Sequence, residues 1–97
     1  MKQAAERYTA CIAQEAEKEV GNPAGVEDIA VAAQGRCWAA WDAYRATTAA
    51  TYTANAQTPE EKQLATDRVD AHLRQFERDT RRDIMNRLVQ RSITERK

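Results

Sequence analysis

Two cysteines, one histidine, one serine and a run of arginines are the side chains with chemistry to offer in this 97-residue chain. Cys11 and Cys37 stand 26 positions apart, not in the C-x-x-C spacing of a redox-active pair. They can form a structural disulfide if the fold brings their Cα atoms within about 7 Å. Two buried free thiols, acting as small hydrophobes, are the competing outcome. His72 has Asp67, Asp70 and Asp79 near it in sequence. It lacks a second histidine or a Glu-x-x-His pair with which to build a bundle metal site. Neither a metal nor a cofactor is expected. Ser92 lies near the C-terminal end, so no Ser-His-Asp arrangement can be argued. A Cys37–His72 nucleophile would need a thiol that the disulfide consumes. Gly-rich phosphate loops are absent. Together these features predict a protein that is not an enzyme.

The arginines gather between residues 68 and 91, with Arg74, Arg78, Arg81 and Arg82 as a candidate basic face. A helix carrying them could enter a nucleic-acid groove. Asp70–Arg74, Glu77–Arg81 and Asp83–Arg87 each place an acid four residues before a base, however. That is the spacing of a solvated, ion-paired helix face, and it makes nucleic acid the weaker reading.

The elements that must position these residues are helices. Nineteen alanines against thirteen Leu, Ile, Val and Phe, with only three Gly and two Pro, describe helices packed closely on small side chains. Fifteen basic and fifteen acidic residues cancel, so the high net charge of a disordered chain is missing. Two breaks, Gly21–Gly25 and Asn55–Pro59, divide one single helical domain over residues 1–97 into three segments, at about 2–20, 24–56 and 59–93. The first has its apolar stripe at Ala4, Ala5, Tyr8, Cys11, Ile12, Ala16 and Val20. The second opens on Asn22 before Pro23, or on Gly25 with Glu27 and Asp28 in the first turn. Its stripe is Ile29, Ala33, Cys37, Trp41 and Tyr44. The third starts at a capping box, Thr58-Pro59-Glu60-Glu61, and carries Ala65, Val69, Leu73, Phe76, Thr80, Ile84 and Leu88 inward.

Short breaks favour antiparallel neighbours, and the expected fold is an all-α, up-down-up three-helix bundle. A hairpin centred on residue 24 sets Tyr8 opposite Trp41, Ala16 opposite Ala33 and Cys11 opposite Cys37. The stripes alone therefore place the two cysteines face to face. Closing that loop would stabilise the domain by about 3.5 kcal/mol in the chain-entropy model. The same arithmetic sets residues 84–93 opposite about 22–31. The first helix cannot reach residues 47–68, which are left as a two-helix tip carrying Tyr52 and Leu64.

A thin alanine core in a chain this short calls for a staple or a partner. Candidate partner-binding residues are Trp38, which flanks the core stripe, Tyr52 and Leu64 at the tip, and the row Met85, Val89 and Ile93, wider than one neighbour covers. A homodimer through that last row is expected. No stretch is apolar over the roughly eighteen residues a membrane span needs. The opening Met1-Lys2-Gln3-Ala4-Ala5-Glu6-Arg7 lacks the apolar region of a signal peptide. A structural disulfide nonetheless points to an oxidising compartment. The leading expectation is a non-enzymatic interaction or structural protein of the bacterial cell envelope, periplasmic or secreted, with its signal removed. The alternative is a cytoplasmic or phage-type regulator that uses its Arg-rich third helix on nucleic acid or a protein target.

Overall fold

The computed structural model describes residues 2–95 and contains four α-helices and, among the described residues, no strand. They are α1 (Lys2–Glu17), α2 (Val26–Arg36), α3 (Trp38–Thr53) and α4 (Pro59–Glu95). The count corrects the three-helix expectation, because the segment foreseen as one helix over 24–56 is divided at Cys37. There φ is −97° and ψ is 27°, and the Cys37 N–H is shared between the carbonyls of Ala33 and Gln34. Trp41 N–H already bonds the Cys37 carbonyl at 3.0 Å, so α3 begins where α2 stops. Gly35, just before the break, is the weakest helix former in the segment.

The turn between α1 and α2 arises from local hydrogen bonding. Past Glu17 the bonds tighten to three-residue spacing, Glu19 N–H to Ala16 and Val20 N–H to Glu17, and α1 ends earlier than the expected residue 20. Gly21 then takes φ 93°, a left-handed conformation that costs a side-chain-bearing residue energy. Asn22 does not cap α2. Its side-chain oxygen accepts the Ala24 N–H at 2.9 Å, and Gly25 takes the N-cap position.

Helix α4 starts as its capping residues dictate. Thr58 Oγ1 accepts the Glu61 N–H at 3.1 Å, while Glu61 reaches back to the Gln57 N–H at 2.9 Å, one residue beyond the usual partner. At about 1.5 Å per residue its 37 residues span roughly 55 Å. The molecule measures 58 × 18 × 17 Å, so α4 is nearly straight and forms the long edge of a rod.

Against it pack α1, α2 and α3, and α1 also packs on α2 and α3. One core cluster joins Tyr8, Ile12 and Ala16 of α1, Ile29, Ala30 and Ala33 of α2, Cys37, and Ile84 and Leu88 of α4. Val26 and Met85 close its edge. A second, smaller cluster joins Tyr44 with Val69 and Leu73, flanked by Ala4, Ala5, Trp41, Ala49 and Phe76. From residue 50 to residue 64 every side chain is exposed except the half-buried Thr53 and Ala56. The tip is thus a two-helix projection.

Candidate interaction surface

The cysteines are joined. Cys11 and Cys37 form a disulfide with Cα atoms 6.0 Å apart, and no free cysteine remains among the described residues. Cys37 is buried and Cys11 half-buried, so the bond lies at the edge of the larger cluster. It fastens α1 at the junction of α2 and α3. A thiol nucleophile beside His72 is thereby removed.

An aromatic ladder runs from the staple toward the tip. Tyr8 meets Trp41 at 5.1 Å between ring centroids, as the register expected. Tyr44 stacks on Phe76 at 4.3 Å, and His72 lies 5.8 Å from Tyr52 and 6.0 Å from Tyr44. His72 Nε2 and the Tyr44 hydroxyl are 2.6 Å apart, a hydrogen bond that draws the histidine inward. Burial raises the Tyr44 hydroxyl above its ordinary value. His72 has this role within the bundle. Among the described residues, no group of three or more His, Cys, Asp or Glu side chains could hold a metal ion.

The bundle also holds a polar crosslink outside the apolar stripes. Gln34 of α2 donates from Nε2 to the Glu77 carbonyl at 3.0 Å and to Thr80 Oγ1 at 3.2 Å. Its Oε1 accepts from Arg81 Nε at 2.9 Å. Arg81 also pairs with Glu77 at 3.0 Å. Beneath this network lies the Tyr8 hydroxyl. Burial pushes its pKa up, while the neighbouring Gln34 side chain pulls it part of the way back. The only available signal was a long polar side chain on the α4-facing flank of α2.

The basic face is therefore smaller than the sequence suggested. Arg81 is turned toward α2, and Arg82 is paired with Asp79 at 3.4 Å and Asp83 at 3.6 Å. Arg78 bonds the Gln75 side chain, and Arg74 has no ion pair among the described residues. Of the three i,i+4 pairs expected, Glu77–Arg81 forms. Asp83 pairs with Arg82 instead of Arg87.

The exposed apolar residues lie in separate places. Trp38, at the α2–α3 junction, is 66% exposed, and Tyr52 and Leu64 stand at the tip. Val89 and Ile93 are exposed on α4. Met85 does not join them. It is half-buried against the larger cluster, so the free row expected there shrinks to two residues. Val31, also exposed, went unnoticed in the sequence because it falls outside any apolar stripe. No helix among the described residues is long and apolar enough to cross a membrane. Neither a family model, nor a curated protein, nor a solved structure matches this chain.

Proposed function

We propose that this chain is a non-enzymatic structural and interaction protein of the bacterial cell envelope, working in the periplasm or outside the cell. The observation that carries the reading is the Cys11–Cys37 disulfide. It uses both cysteines and fastens a small core in which Ala16, Ala30 and Ala33 pack with Tyr8, Ile12, Ile29, Ile84 and Leu88, a construction suited to compartments where thiols are kept oxidised. The rod then presents large apolar side chains to solvent at Trp38 and at the tip, the kind of anchor that protein interfaces use. In this reading Arg74 and Arg78 contribute to the surface charge of the rod and do not form a nucleic-acid footprint.

Quenching cells of the source organism with acid and then alkylating thiols under denaturing conditions, so that burial offers no protection, tests this reading. Cys11 and Cys37 should be fully protected from alkylation until a reductant is added. Cysteines found alkylated in untreated cells would overturn the envelope assignment and favour a cytoplasmic regulator.

A further inference from the structure

The two sulfurs of the staple are not equally reachable. Cys37 is 2% exposed, among the buried side chains of the larger cluster, whereas Cys11 is only half-buried at its edge. Ala10 and Gln14, close to Cys11 along α1, are exposed. In the seam between α1 and α3 runs an open groove of about 480 Å³. Gln3 and Arg7 of α1 line it, with Ala39, Ala40, Ala43 and Thr47 of α3. The groove ends one helical turn from the disulfide, since Arg7 precedes Cys11 by four residues and Ala40 follows Cys37 by three. Arg7 is the charged side chain of its described lining. It is exposed and has no ion pair among the described residues.

We propose that Cys11 is a thiolation site, at which an anionic, peptide-sized thiol seated in this groove opens the staple. The inference goes beyond the interaction reading above and holds whatever partner the rod binds. A carboxylate of such a thiol meets Arg7, which leaves its sulfur one turn away, at Cys11. The volume suits a small peptide rather than a folded partner. The thiolate attacks Sγ of Cys11, because exchange follows access and Cys37 offers almost none. A new sulfur–sulfur bond joins the peptide to Cys11 as the Cys11–Cys37 bond breaks. Cys37 leaves as a thiolate and takes up the proton that the entering thiol gave up. The entering sulfur is oxidised and Cys37 is reduced, so the exchange needs no further oxidant. Helix α1 then loses its covalent tie to the junction of α2 and α3. The reverse attack, by Cys37 on Cys11, expels the peptide and restores the staple.

Opening of the oxidised full chain by reduced glutathione, an anionic tripeptide thiol, and by mercaptoethanol, an uncharged one, tests the assignment. Samples quenched in acid, alkylated and digested show by mass spectrometry which sulfur carries the glutathione. At early times the adduct is expected on Cys11, in excess over Cys37 by about tenfold or more. Arg7→Gln leaves both cysteines and the core in place. It should slow opening by glutathione about threefold and leave opening by mercaptoethanol unchanged, with rates compared at equal thiolate concentration. Added salt should narrow the glutathione difference. An adduct divided evenly between the two sulfurs, or held mainly by Cys37, would overturn the site. So would an Arg7→Gln variant that slows both thiols alike or neither. A staple that glutathione opens only after urea has unfolded the chain would overturn it as well.

Discussion

Replacing Cys11 and Cys37 together by alanine should cost the domain about 3.5 kcal/mol. In the chain-entropy model, that is the value of closing a loop of 26 residues in the unfolded state. The packing contribution is smaller. Alanine keeps Cβ in place, and only the sulfur atoms leave the edge of the larger cluster, where Cys37 is buried and Cys11 half-buried. A domain of this size holds roughly 5–15 kcal/mol in all, so the staple supplies a quarter or more of it. For a chain of this length each kcal/mol moves the thermal midpoint by about 4–8 °C, which sets the expected drop at roughly 14–28 °C. Urea unfolding followed by circular dichroism, on the oxidised protein and on the double variant, measures the difference in free energy. Reduced wild-type protein provides a control with no change of sequence. A loss below about 1 kcal/mol, with unfolding slopes unchanged, would refute the argument. It would mean that the alanine-rich packing of α1 on α2 and α3 already holds the hairpin closed.

Gln34→Ala removes hydrogen bonds to the Glu77 carbonyl, Thr80 and Arg81 at once, and should destabilise the fold by about 1–3 kcal/mol in the same urea assay. Gly35→Ala should raise stability by about 0.4–1 kcal/mol, since the glycine is helical and an added Cβ meets nothing within 4 Å. Stability should fall as pH climbs above about 10, for a reason that can be traced to Tyr8. Burial raises the Tyr8 pKa in the folded state, so in that window the unfolded chain ionises while the folded one keeps its proton. The stability is complete below the unfolded value and lost above it, and urea titrations of Tyr8→Phe across that range should show a shallower decline.

The hairpin register was legible in the sequence because it depends on periodicity alone. Stripes that step by threes and fours, and a turn whose centre is fixed by Gly21 to Gly25, leave few ways to lay α1 against its neighbour. The buried residues of α4, from Ala65 to Leu88, followed for the same reason, and so did the capping box at Thr58. Features set by side-chain reach were not legible. Gln34 crosses to α4 and accepts from Arg81 while Arg81 keeps its expected pair with Glu77. Met85 bends into the core edge, although its helical position equally allowed an outward course. The division at Cys37 left a faint mark in Gly35, but glycine within a helix is tolerated too often for that mark to have been decisive. At the candidate surface, Leu64 and Tyr52 at the tip and the row through Val89 and Ile93 are exposed as the periodicity suggested, and only Met85 leaves that row.

The turn from Gly21 to Gly25 is exposed throughout and lies inside the loop that the disulfide closes. A protease that cuts there separates the chain into two pieces that remain one molecule. The short piece carries Tyr8, Ile12 and Ala16 and stays bolted to the rest through Cys11, so its core contacts need not be surrendered when the backbone is broken. The staple thus also serves as insurance against cleavage, holding a nicked chain together through Cys11 and Cys37.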